Sequence, residues 1–263
     1  MSMKKNHPFH LVNPSPWPLI LSINLMNILF SMLNWFSMNI KFMIILNLLI
    51  LTISMYQWWR DIIRESTFQG YHTLYVYKLM KMGMILFIIS EFFFFISFFW
   101  TYFHSAISPN IEIGSIWPPK MINMFNPYDI PLLNSIILIS SGLTITWSHH
   151  SLINNKMYNC LYGLWLSITL GSYFTYIQLI EYSEAKFCFN DSIFGSIFFM
   201  MTGFHGLHVI IGIIFMFTCY YRIFYGYISK MHHFHFEAAS WYWHFVDIIW
   251  LFLYISLYWW MFN

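Results

Sequence analysis

Met82–Ala106 reads MGMILFIISEFFFFISFFWTYFHSA. It is 25 residues long and carries a single ionisable carboxylate, Glu91. A membrane-spanning helix needs about 20 mainly apolar residues, so this run predicts a span rather than a soluble core helix. The rest of the chain agrees. Hydrophobic residues make up 59% of the 263, aromatic residues 23% and charged residues only 8%, whereas a soluble domain carries about 25% charged residues. A surface so poor in charge needs lipid to cover it. The net charge of +2 comes from scattered basic residues and offers nothing to nucleic acid.

Six further runs match the first: Trp17–Phe36, Phe42–Trp59, Ile130–Ser148, Met157–Ile180, Ile193–Tyr221 and Ala238–Met261. Their unbroken length predicts helices, not barrel strands. The expected fold class is therefore an all-α integral membrane protein with seven transmembrane helices. Trp17, Trp58, Trp59, Trp117, Tyr220, Tyr221, Trp259 and Trp260 stand near run ends, as an interfacial aromatic belt would. Lys4, Lys5, Arg60, Arg64, Lys78, Lys81, Lys156, Arg222 and Lys230 fall on one side, and Lys41, Lys120 and Lys186 on the other. The basic excess predicts an N-terminus inside, in cytoplasm or mitochondrial matrix, and a C-terminus outside. The connection Arg60–Lys81 is the longest on the inner side. It divides the chain into a two-helix hairpin, residues 1–66, and a five-helix bundle, residues 67–263, within one membrane domain.

No cleavable signal or Arg-rich transit segment is visible, and the abundance of Phe, Met, Tyr, Ile, Asn and Lys suits an A/T-rich organelle genome. The three cysteines, Cys160, Cys188 and Cys219, are far apart and imply neither a disulfide framework nor a zinc site.

Polar residues inside the apolar runs carry the functional question, because each costs about 2.5–3.5 kcal/mol in the bilayer centre. Glu91 lies ten residues beyond Lys81, hence ~15 Å into the membrane. Asp247 follows His244 by three residues, and His205 precedes His208 by three, so each pair shares a helix face. Glu91, His205, His208, His244 and Asp247 should face one another or a wet cavity, as a proton relay or as polar packing pairs. Histidines also gather near the inner surface in WSHHS (His149, His150) and MHHFHFE (His232, His233, His235, with Glu237). These support an alternative reading, a membrane di-iron oxygenase or desaturase, although only His232-x-x-His235 approximates such a histidine box. The segment QWWRDIIRESTFQGYHT, Gln57–Thr73, concentrates Trp58, Trp59, Arg60, Arg64, Glu65 and His72 at the inner interface, where Arg and His can hold a lipid phosphate.

HLVNPSPWPL, QWWRDIIREST, GMILFIISE, IWPP, TGFHGLHVIIG and EAASWYWHFVDIIWLFLYISLYWW resemble, in register along essentially the whole chain, the mitochondrial cytochrome c oxidase subunit III family. The resemblance implies a non-catalytic accessory subunit of a haem–copper oxidase in the mitochondrial inner membrane. Its helices would be arranged two plus five around a V-shaped, phospholipid-filled cleft. It implies no catalytic residue and no metal site in this chain, with haem and copper held by partner subunits. Subunit I would be the main partner, subunit II and small accessory subunits the others, and this chain would aid proton uptake and durability in turnover. Trp59, Arg64, Glu65, His72 and Arg222 match positions associated with lipid, His208 a position near it, and Glu91 the family's buried carboxylate. Departures are local: a heavier aromatic run after Glu91, and Ser240 in place of a small apolar residue.

Overall fold

The computed structural model describes residues 9–111, 114–120 and 122–262; Lys4 and Lys5, counted above for orientation, lie outside them. Seven long helices dominate: α1 (Trp17–Met38), α2 (Phe42–Thr67), α3 (Leu74–Ile107), α4 (Ile130–Ile153), α5 (Met157–Glu184), α6 (Ile193–Phe224) and α7 (Phe234–Leu253). The last continues through a π-helical stretch, Tyr254–Trp259, into Trp260–Phe262. No strand occurs among the described residues.

Among the described residues six helices are long and apolar enough to cross a membrane: α1, α2, α3, α4, α6 and α7 with its extension. The seven expected spans are thus matched by seven helices, but α5 falls short in apolarity. Tyr158, Tyr162, Thr169, Ser172, Tyr173 and Tyr176 on its exposed face lower its hydropathy. On the inner face Ser167, Gln178 and Glu181 lie among Cys160, Leu164, Ile168 and Phe174, all buried.

The expected inner connection 60–81 is mostly helix. α2 runs on to Thr67 and α3 begins at Leu74. Helical backbone persists past Trp59 because Asp61 is neutralised locally. Its Oδ1 accepts from Arg60 Nη2 at 3.0 Å and lies 3.8 Å from Arg64 Nη1, one turn on.

The chain forms two compact units, Met1–Met80 and Lys81–Asn263, with α3 running through the boundary. In the first unit α1 pairs with α2. Asn39, at φ 58°, closes the turn between them in the left-handed region that Asn tolerates. The buried residues of these two helices are Asn24, Ser31 and Ser54, while Leu29, Phe30, Leu33, Leu49 and Ile53 are exposed. This inverts a soluble hairpin. Small polar residues line the seam, as interhelical contacts in lipid favour, and Asn24 Nδ2 donates to Ser54 Oγ at 3.4 Å.

In the second unit α4 packs on α5 and α7, α5 on α6, and α6 on α7. Its centre is Trp243, fully buried. The indole lies against Gly171 of α5 and Gly212 of α6: a Cβ at either glycine would come within 2.7 Å of the ring. Its Nε1–H donates to Ser141 Oγ of α4 at 2.9 Å. One side chain therefore ties all four helices, and the glycines are there because only hydrogen leaves room for the ring.

Candidate functional site

In the first unit the expected lipid-associated residues Trp59, Arg64 and Glu65 occupy the last turns of α2, and His72 the connection to α3. Trp59 and Arg64 are exposed. Glu65 is engaged by His10, Nε2 to Oε2 3.5 Å, rather than by Arg64. Asp61, which sequence reasoning passed over, organises the end: it accepts from Trp17 Nε1 at 2.7 Å while holding Arg60. Beside this group α1 and α2 form an apolar groove of about 440 Å³, lined by Leu21, Leu25, Leu51, Met55, Trp58 and Trp59. Cationic heads above an apolar groove suit a phosphate with an acyl tail.

In the second unit the five intramembrane groups all find polar company. Glu91 Oε2 lies 3.0 Å from His208 Nε2. His208 Nδ1 lies 2.7 Å from the Phe204 carbonyl, which can only accept, so Nδ1 carries a proton. Nε2 and the carboxylate then share one further proton: a neutral imidazole faces a protonated Glu91, or an imidazolium faces a carboxylate. Glu91 is thus a member of a pair, not a solitary acid. Phe94 and Phe95 pack around the imidazole with ring centroids at 6.3 and 5.1 Å. His244 Nδ1 and Asp247 Oδ2 are 3.8 Å apart, one turn apart on α7. His205, fully enclosed, donates from Nε2 to the Val246 carbonyl at 3.2 Å. Arg222 stands in the last turn of α6, 14 residues or about 21 Å along the helix from His208. Its Nε is buried without a hydrogen-bond partner. Nearby, burial and then the Arg222 charge hold the loop residue His232 below the ordinary imidazole range.

One group escaped the sequence reading, and a second, named there only as scattered inner-face histidines, is drawn together here. Glu181 is wholly buried and its Oε1 accepts from Tyr258 at 2.6 Å; Gln178 and Asn134 meet one helical turn away at 3.4 Å. The signal was present, since Gln178 and Glu181 stand at i, i+3, but the apolar run ended at Ile180. The second group joins His149 at the end of α4 to His233 and Glu237 at the start of α7. Their potential ligand atoms lie within 4.8 Å of one another. Glu237 also receives Lys81 Nζ at 2.6 Å.

The di-iron alternative is not supported. His232 and His235 do not converge with the others: His235 Nδ1 sits 3.1 Å from Cys219 Sγ and Nε2 3.4 Å from Thr218 Oγ1. An ammonium on the single carboxylate of the remaining cluster opposes the charge a di-iron centre demands.

The sequence as a whole matches the family model described as Cytochrome c oxidase subunit III over residues 7–262. It is 57% identical over 254 residues to cytochrome c oxidase subunit 3 of Rhipicephalus sanguineus, covering 97% of this chain and 99% of that one. Against the same subunit of Aedes aegypti identity is 54% over 260 residues, with 99% of each chain covered. The protein of that name from Equus asinus is 52% identical over 256 residues, with 97% of this chain and 98% of that one covered.

Proposed function

The chain belongs to the cytochrome c oxidase subunit III family, and on that premise we propose that it is the non-catalytic core subunit of the oxidase that supports subunit I. The near-full-length family match carries this reading. Electron transfer to O₂ and proton pumping fall to partner chains, which hold the haem and copper. This chain supplies no redox centre. We place it in the mitochondrial inner membrane with its N-terminus in the matrix, and count α5 as a seventh span enclosed by its neighbours. The helices would group two plus five, residues 1–66 and 67–263, around bound phospholipid. Subunit I is the main partner, with subunit II and small accessory subunits beyond it.

Structural phospholipid is assigned to two sets of groups. Trp59, Arg64, Glu65 and His72 form one, supported by the exposed guanidinium of Arg64 beside the 440 Å³ apolar groove. Arg222 and His208 belong to the other, supported by the unpartnered Nε of Arg222. In the isolated complex, removing this chain is expected to leave haem and copper content unchanged per catalytic core and to shorten the core's lifetime in turnover. Haem or copper leaving with this chain would overturn the proposal.

Glu91 is given a supporting role, as half of a one-proton pair that fixes α3 on α6. Glu91→Gln keeps the shape and offers an amide N–H to His208 Nε2, so turnover and pumping should be unchanged. Glu91→Ala leaves a part-buried imidazole nitrogen without its partner and should lower the yield of assembled complex. Loss of pumping in Glu91→Gln with assembly intact would make Glu91 a proton carrier instead.

A further inference from the structure

His149, His233 and Glu237 converge where the last turn of α4 meets the first turn of α7. His233 and Glu237 stand at i, i+4, on one helix face, with His233 Nε2 3.3 Å from Glu237 Oε1. Their side chains are 11% and 13% exposed, so the cluster is shielded yet reachable. His149 reaches in from the other helix, 5.6 Å from His233 between ring centroids, and its ring stacks on Phe236 at 5.4 Å. His149 Nε2 is buried and has no hydrogen-bond partner. Burying such a nitrogen without a partner is unfavourable, and a ligand would remove that cost.

We propose that His149, His233 and Glu237 form a binding site for a redox-inert divalent cation of the zinc class. Two imidazoles, borderline donors, with one carboxylate oxygen make a set found around Zn²⁺ and poorly suited to Mg²⁺ or Ca²⁺, which take oxygen ligands throughout. Three protein ligands leave a fourth position for water. Bonds of about 2.0–2.2 Å in a tetrahedron put donors about 3.4 Å apart, so the side chains close by roughly 1.4 Å from the 4.8 Å limit within which they lie. Lys81 fits this scheme as the partner that orients the carboxylate. It holds Oε2 at 2.6 Å and leaves Oε1 toward the imidazoles. Its charge also lowers the affinity, making the site responsive to free cation rather than permanently filled. Binding releases any proton held on the imidazoles. The bound ion would clamp the end of α4 to the start of α7, a junction that otherwise depends on packing.

The intact oxidase complex containing this chain, stripped with a chelator, tests the site. Zn²⁺ alone is added, the complex is treated briefly with diethyl pyrocarbonate, and modified histidines are mapped by peptide mass spectrometry. Modification of His149 and His233 should slow at least tenfold and recover on chelation, while His104 and His150, both exposed, should react unchanged. A complex carrying Lys81→Gln should give the same protection at lower Zn²⁺, and one carrying Glu237→Gln should lose it. Equal modification of His149 and His233 with and without Zn²⁺ would overturn the site. That result would leave the accessory-subunit reading intact, since haem and copper content does not depend on it.

Discussion

Trp243→Ala should destabilise the bundle of α4, α5, α6 and α7 more than any other single truncation, by about 3 kcal/mol. Truncating a buried Trp costs about 3–5 kcal/mol in soluble cores. The lower end applies because the separated helix would meet lipid rather than water, so the transfer part shrinks and the cavity and lost contacts remain. The ring is fully enclosed, fills the space over Gly171 and Gly212, and bonds Ser141. Detergent-solubilised chain titrated with SDS and followed by far-UV circular dichroism reads the loss directly. Gly212→Ala is the reciprocal test. Its methyl would lie 2.7 Å from Trp243 Cε3, and overpacking of that kind costs about 1–3 kcal/mol. Combining Gly212→Ala with Trp243→Ala should cost less than the sum, since the added methyl enters the vacated space. Strict additivity would show that the glycine and the indole do not share one slot.

Glu181→Ala is expected to cost about 1–3 kcal/mol, the penalty for leaving the Tyr258 hydroxyl buried without an acceptor. Interhelical bonds in membranes average only about 0.6 kcal/mol, because separated groups find other partners. Here both side chains are buried, at 0% and 1% exposure, which keeps water away and leaves the neighbouring Gln178 as the group that could take over. Glu181→Gln retains an acceptor oxygen and should be far milder. Tyr258→Phe added to Glu181→Ala should recover part of the loss, because it removes the stranded donor. The same SDS titration measures all four chains. A Glu181→Ala chain as stable as the parent would mean that water or a neighbouring group replaces the carboxylate.

Most of the helices were legible in the sequence because a bilayer makes strong demands on length and apolarity, and seven runs met them. Boundaries were not. α2 outran its apolar segment since Asp61, Arg60 and Arg64 satisfy one another on the helix surface, which hydropathy cannot register. α5 lost apolar character to the tyrosines, threonine and serine of its exposed face. Glu181 was missed because a charge at the end of an apolar run looks like the end of the span. Pairings were harder still. Glu91 and His208 are 117 residues apart, and Trp243 and Ser141 102. Sequence spacing placed His205 with His208 and His244 with Asp247 on shared faces, because those are local periodicities. It could not say which helix each face would meet.

The polar seam of α1 and α2 has a thermal consequence. Apolar hydration gives soluble proteins their large heat-capacity change on unfolding, and with it the weakening of their cores on cooling. Separating these two helices within a bilayer would move Asn24, Ser31 and Ser54, while Leu29, Phe30, Leu49 and Ile53 stay in hydrocarbon before and after. The heat-capacity change of that step is therefore close to nil, and the hairpin's pairing free energy varies almost linearly with temperature. No cold limit therefore arises in this part of the subunit from the protein itself; any limit would come from the phase behaviour of the lipid around it.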